Sequence, residues 1–166
     1  MKSTNTSVPR TAQAVARHDI IATLYDGLVD LPAFNPDDDV EPLHPTVTAL
    51  RSDIRSADAL LFSTPEYGGA LPGAFKNLLD WTIGDDQAGS ISEKPVAWIN
   101  ASPRGAVDAH ESLRKVLGYA NAAIVETACV QIPVTAGSVR EDGLIADAGL
   151  RDKIAGALTQ LADHTR

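Results

Sequence analysis

The chain has 166 residues, of which 44% are hydrophobic and 22% charged, and its formal net charge at pH 7 is −8. This length and composition are typical of one soluble globular domain, which we expect to span residues 1–166. The acidic balance argues against nucleic acid or an anionic membrane surface as a partner, and no apolar run approaches the roughly 18 residues that span a bilayer.

Short apolar runs alternate with helical patterns along the chain. The strand candidates are residues 20–25, 59–63, 96–101 and 128–132. Most of these runs lack polar–apolar alternation, which is typical of strands buried on both faces of a parallel sheet. Apolar residues at helical spacing lie before, between and after them, at Val8, Ala12 and Val15, at Val47, Leu50 and Ile54, at Phe75, Leu78 and Leu79, at Leu113, Val116 and Leu117, and at Leu150, Ile154, Leu158 and Leu161. This alternation predicts an α/β fold, a doubly wound parallel sheet in three layers.

Two smaller signals concern Cys129 and the fourth helical stretch. Cys129 is the only cysteine, so no internal disulfide forms, and the composition fits a reducing cytoplasm. Because Cys129 lies in an apolar run, we interpret it as a buried small side chain rather than a catalytic thiol. Asp108, followed three residues later by Glu111, resembles a capping box and predicts a helix start there.

Several common motifs of catalysis and binding are absent from the sequence. It contains no G-x-G-x-x-G after a strand, no G-x-x-x-x-G-K-[ST] and no G-x-S-x-G, and its 4 histidines are scattered. The acidic run at residues 37–41 is interpreted as a solvated loop rather than a cation site. We therefore predict no metal site.

Three loops with small or polar residues each precede a predicted helix. They are residues 3–6, residues 65–69, and residues 100–105. Taken singly, each has a simpler interpretation, as an N-cap, a tight strand-to-helix turn, or an ordinary βα turn. Because the ligand loops of an open α/β sheet meet at one edge, the three together predict a ligand site there. Gly68 and Gly69 would let a flat ligand approach the main chain closely, with Tyr67 as a wall.

The segment Thr64-Pro-Glu-Tyr-Gly-Gly-Ala-Leu-Pro-Gly-Ala-Phe-Lys-Asn-Leu-Leu-Asp-Trp81 closely resembles the signature of the NADPH-dependent FMN reductase family. That family contains flavodoxin-like quinone, chromate and azo reductases. The likeness extends to residues 31–37, to residues 95–105, and to the helix behind them at 113–117. The central motif is specific, and the resemblance identifies the chain as a member of this family.

The resemblance implies a flavodoxin-like sheet of order 2-1-3-4-5, a bound FMN, NAD(P)H as co-substrate, and a small-molecule electron acceptor such as a quinone, azo dye, metal oxyanion or free flavin. It assigns FMN contacts, by position, to Ser3, Asn5, Pro65, Glu66, Tyr67, Gly68, Gly69, Ala101, Ser102 and Gly105. No side chain is needed as an obligatory acid or base. The resemblance also implies a homodimer or homotetramer. Our candidate contacts are Trp81, Phe75 and the segment after Gly84, with a role in the core as the alternative for Phe75.

One departure from the family is large. Its first strand, and the Gly-Ser-x-Arg part of its phosphate loop, have no counterpart before Ser3. Since that strand lies between two others, we expect unpaired backbone on both neighbours and weaker phosphate binding. Two explanations of the missing strand are a longer natural chain, of which this sequence is an internal part, and a shortened relative that a partner chain completes. We expect the first. A flavodoxin-like electron carrier and a flavin-free, non-catalytic relative stay open as alternative functions.

Overall fold

The structure is a computed structural model that describes residues 4–165. The α-helices are α1 (Thr4–Val15), α2 (Pro45–Ser56), α3 (Gly73–Ile83), α4 (Val107–Tyr119) and α5 (Ala148–Asp163). The strands are β1 (Leu60–Phe62), β2 (Pro95–Asn100), β3 (Ala123–Ile124) and β4 (Val130–Gln131). Short 3-10 helices lie at Gly27–Asp30, Pro36–Asp38, Glu126–Ala128 and Ala136–Ser138.

The sheet is parallel and β2 is its centre. Strand β1 pairs along one edge of β2, with Leu60 opposite Val96. On the other edge, β3 pairs with the first half of β2 and β4 with the second half. The predicted α/β fold with a parallel sheet is confirmed. The strand predicted at 128–132 is shorter than expected, because the 3-10 helix Glu126–Ala128 divides that edge into β3 and β4.

Helices cover both faces of this sheet, as a doubly wound fold requires. One core cluster gathers the buried faces of α2, α3 and α4 around Val96 and Trp98 of β2. A second cluster packs α1 and α5 against Ile99 on the opposite face. Neighbouring residues of β2 thus serve opposite faces, which explains why this strand is apolar without alternation.

Residues 20–25 do not form a strand, contrary to the prediction. Ile20 and Ala22 pack against the second core cluster and Tyr25 against the first, while Ile21 between them is 96% exposed. The apolar residues are therefore used for packing. A strand also needs a hydrogen-bonded neighbour, and among residues 4–165 no strand pairs with this segment. Strand β1, for its part, pairs only with β2 within the same range, and its three residues are only half-buried.

Trp81 is part of the core and is not available for the subunit contact predicted for it. Its side chain is 1% exposed, its Nε1 donates to the carbonyl oxygen of Pro32 at 2.9 Å, and its ring meets the edge of Phe34 at a centroid distance of 4.9 Å. Phe75 is half-buried and packs against the same cluster. Trp81 therefore ties the loop that contains Pro32 to the end of α3.

A buried ion pair fixes the same loop to α2. Arg51, whose side chain is 7% exposed, contacts Asp39 with 2.8 Å between Nη2 and Oδ1. The Nε of Arg51 also donates to the carbonyl oxygen of Trp81 at 3.0 Å. Asp39 leaves no room for a side chain at Gly84, where a Cβ would lie 2.0 Å from its Oδ2. The carboxylate, the guanidinium and the end of α3 form one packed unit.

Cys129 lies where the edge strand is interrupted, and it is half-buried, whereas the sequence predicted a buried side chain. Its thiol donates to the carbonyl oxygen of Val125 at 3.5 Å. Burial raises the pKa of the Cys129 thiol, and a hydrogen bond from the main chain of Trp98 offsets only part of that effect. The carbonyl oxygen of Val125 also accepts from the Ala128 N–H at 2.9 Å.

We expect Cys129 to react with iodoacetamide in the folded protein only at a higher pH than in the unfolded protein. The thiol of an unfolded cysteine has a pKa of about 8.5. In the folded protein, the pKa of the Cys129 thiol lies above that of the free side chain. The stability that accompanies this shift is present below the unfolded pKa and is lost as the pH rises through the folded pKa. Alkylation rates measured against pH, with and without denaturant, test this. Coincident profiles would contradict it.

Candidate functional site

The predicted loops lie at the end of the sheet where the parallel strands terminate. Residues 65–69 follow β1, and residues 101–105 follow β2. Asn5 lies in the first turn of α1, and Ser63 Oγ donates to its Oδ1 at 3.5 Å. The structure thus brings Asn5 to the end of β1, and both loops to the same edge of the sheet. Ser3 lies outside the described residues.

The loop after β1 is a tight turn with an uncovered main chain. Tyr67 and Ala70 exchange backbone hydrogen bonds of 3.0 and 3.2 Å. Between them, Gly68 and Gly69 have φ values of 60° and 72°, which side chains disfavour. A Cβ at Gly68 would meet nothing within 4 Å, and Tyr67 is 69% exposed. The turn therefore presents main-chain groups and one aromatic ring to open space.

The loop after β2 is shaped from within by Asn100. Its Oδ1 accepts a hydrogen bond from the Ser102 N–H at 3.0 Å, and its Nδ2 donates to the carbonyl oxygen of Gly105. Asn100 is 7% exposed, so these bonds are shielded from water. The sequence prediction included Asn100 in the loop but gave it no role. The signal that could have identified this role is an asparagine at the end of a strand, directly before a turn of small residues.

The other predicted residues of this loop differ in how they face the site. Ala101 is 0% exposed and belongs to the second core cluster, and its carbonyl oxygen accepts from the Val134 N–H at 3.0 Å, so this residue presents no exposed surface. Ser102 is half-buried, and its Oγ accepts from the Arg104 N–H at 3.2 Å. Gly105 has a φ of 97°, a conformation that favours glycine. The loop therefore offers mainly backbone to a ligand.

Helix α4 begins without a cap of its own. The capping box predicted at Asp108 and Glu111 is wrong, because the N-cap residue is Ala106, which has left-handed backbone angles (φ 46°, ψ 46°) and gives no side-chain hydrogen bond. Instead, Glu66 Oε2 accepts from the Ala109 N–H at 3.1 Å. A side chain from the loop after β1 thus caps the helix that follows the loop after β2.

The N-terminus of α1 is suited to an anion. The first N–H groups of a helix lack intrahelical partners and carry the positive end of its dipole. The first turn of α1 holds no acidic residue. Thr4, Asn5 and Thr6 supply hydroxyl and amide groups there. A flat ligand with a phosphate at one end fits this combination of bare glycine loops and helix terminus.

The described part of the chain holds neither a candidate metal centre nor a candidate membrane span. Residues 4–165 contain no group of three or more His, Cys, Asp or Glu side chains placed to hold a metal ion. Within that range, no helix combines the length and the apolar character required to cross a membrane.

Comparison with known proteins gives consistent results. Residues 1–137 match the model of a family described as NADPH-dependent FMN reductase. A quinone reductase of Pseudomonas putida is 32% identical over 136 residues, which are 80% of this chain and 69% of the relative. A quinone reductase of Escherichia coli is 30% identical over 167 aligned residues, with 97% of this chain and 87% of the relative covered. Among solved structures, the flavoenzyme NAD(P)H:(acceptor) oxidoreductase FerB of Paracoccus denitrificans superposes with a TM-score of 0.81 at 26% identity, over 98% of this chain and 91% of that one.

Proposed function

This chain belongs to the NADPH-dependent FMN reductase family, and from that premise we propose that it is an FMN-dependent NAD(P)H oxidoreductase whose acceptor is a small molecule. The observation that carries the proposal is the coincidence of the family match over residues 1–137 with the glycine loops at one edge of the sheet. The relatives are named quinone reductases, so a quinone is the acceptor class we place first. Azo compounds, metal oxyanions and free flavin follow.

We propose that the two loops hold the isoalloxazine ring and that α1 holds the phosphate. When bound, FMN supplies the chemistry, since it takes a hydride from NAD(P)H and passes electrons to the acceptor. Residues 65–69 would line one side of the ring, and Ala101, Ser102 and Gly105 its far edge. Ser3 and Asn5 would contact the phosphate at the start of α1, where free N–H groups favour an anion.

The contribution of this chain is binding and orientation. The Tyr67–Ala70 bonds occupy the Tyr67 N–H and fix the turn, so the main-chain N–H groups of Glu66, Gly68 and Gly69 would stabilise negative charge without reorganising. Tyr67, which is largely exposed, supplies an apolar wall that excludes water beside the ring. The open space at Gly68 leaves one surface for nicotinamide and acceptor in turn. No side chain is assigned as an acid or a base.

We further propose a homodimer or homotetramer in the cytoplasm. Since Trp81 is buried, the candidate contact is the segment after Gly84, next to Ile83, which is 43% exposed. An interface there would cover this apolar side chain. The single cysteine suits a reducing compartment. Size-exclusion chromatography with light scattering measures the assembly.

A flavin titration followed by anaerobic reduction tests the function. The protein is incubated with FMN, desalted, and examined for the absorption of oxidised flavin. We expect retained FMN, bleaching on addition of NADPH, and recovery of the absorption when a quinone is added. Retained flavin that NADPH does not bleach would indicate an electron carrier instead. Protein that takes up no FMN would overturn the proposed function and favour a flavin-free relative.

A further inference from the structure

A single carboxylate connects the two loops of the candidate site. Glu66 is half-buried, and its Oε2 lies 3.1 Å from the main-chain nitrogen of Ala109. Ala109 is 0% exposed, so the hydrogen bond ends in the core rather than at the surface. The partners are 43 residues apart in sequence. This contact therefore sets how the loop after β1 sits relative to the start of α4.

The helix needs this carboxylate because its own sequence gives it no cap. Ala109 is the third residue of α4, and its N–H is one of those that an N-cap serine, threonine or aspartate usually binds. Alanine occupies the N-cap position instead. A carboxylate at this end also interacts favourably with the helix dipole, and hydrogen bonds to charged acceptors are stronger than neutral ones. Glu66 thus performs the capping role from another loop.

The connection is short and stiff on the Glu66 side. The next residue, Tyr67, is locked to Ala70 by two backbone hydrogen bonds. Beyond it, a Cβ at Gly69 would lie 3.7 Å from Asp108 Oδ2, so the turn and the first turn of α4 approach each other a second time. We therefore expect a shift at the start of α4 to move the turn that contains the two glycines.

We infer that Glu66 is a positioning residue, whose carboxylate fixes the spacing between the 65–69 turn and the start of α4 and thereby the shape of the flavin site. The inference rests on the proposed function for its flavin part. The family resemblance implies an FMN contact for Glu66. The structure assigns the Glu66 side chain to α4 and leaves its main chain for the ligand.

The test compares Glu66→Ala with Glu66→Gln. Glutamine keeps an oxygen that accepts the Ala109 N–H, whereas alanine leaves that group without a partner. We expect hydrogen exchange at Ala109 to accelerate at least about tenfold in Glu66→Ala and to stay within about threefold of wild type in Glu66→Gln. The dissociation constant for FMN should rise about tenfold in Glu66→Ala and be largely restored in Glu66→Gln.

Glu111→Ala is the matched control, because it removes an exposed acid two residues beyond Ala109 without touching this contact. We expect wild-type exchange at Ala109 and wild-type FMN affinity. Unchanged exchange at Ala109 in Glu66→Ala would overturn the cap. Faster exchange with unchanged FMN affinity would overturn the positioning role. Wild-type protein that binds no FMN would overturn the proposed function and the flavin part of the inference, while exchange in the flavin-free protein still decides the cap.

Discussion

Replacing Asp39 with alanine is expected to lower the free energy of unfolding by about 3–5 kcal/mol, because it leaves the guanidinium of Arg51 buried without a counter-charge. The side chains of Arg51 and Asp39 are only 7% and 13% exposed. Water therefore cannot readily replace the lost carboxylate. Denaturation in urea, followed by far-UV circular dichroism, measures the change.

Asp37→Ala is the control for this prediction, since Asp37 is an exposed member of the same acidic run. We expect its effect to stay within about 0.5 kcal/mol. Gly84→Ala disturbs the same ion pair without removing a charge, because the added Cβ would displace the Asp39 carboxylate. The backbone of Gly84, at φ −80°, tolerates alanine. Equal stabilities for Asp39→Ala and Asp37→Ala would show that the pair contributes nothing.

Replacing Asn100 with leucine is expected to raise the dissociation constant for FMN about 10- to 100-fold. Leucine fills a similar volume but provides neither hydrogen bond, so the Ser102 N–H and the Gly105 carbonyl lose their partner. No side chain then holds the loop in the conformation that binds FMN. A fluorescence titration with FMN measures the loss of affinity. It is made without denaturant, at a pH where the variant is folded.

Gln131→Leu provides the comparison, because Gln131 reaches the same loop from outside, with its Nε2 donating to the carbonyl oxygen of Ser102 at 3.4 Å. Gln131 is exposed, so water replaces this bond and FMN affinity should stay within about twofold of wild type. A folded Asn100→Leu protein with wild-type affinity would mean that the loop keeps its shape without the side chain.

The sequence predicted the alternation of helices and strands well, because apolar periodicity is a local property. Strand β2 and helix α3 lie where their patterns place them. Residues 20–25 failed because strand formation depends on a neighbour, and apolar composition alone does not supply one. The edge strand was predicted only in part, since the turn at Glu126–Ala128 has no Gly or Pro to mark it.

The candidate site was predicted as loops rather than as contacts. Exposed backbone can be predicted from the sequence alone, because small residues mark it. Here the marks are Gly68, Gly69 and the small residues after β2. The capping of α4 by Glu66 is a contact between residues 43 apart, so no local pattern reveals it. Asp108 and Glu111 gave a false local signal for the same helix start. Local motifs identify candidate caps, and tertiary structure decides among them.

Both tryptophans of the chain, Trp81 and Trp98, belong to the core cluster beneath α2, α3 and α4. The opposite face, where α1 and α5 pack, has none. Intrinsic fluorescence is therefore an optical probe of one layer of this protein. Release of α1, the helix proposed to bind phosphate, would leave the tryptophan emission nearly unchanged and would register in circular dichroism alone.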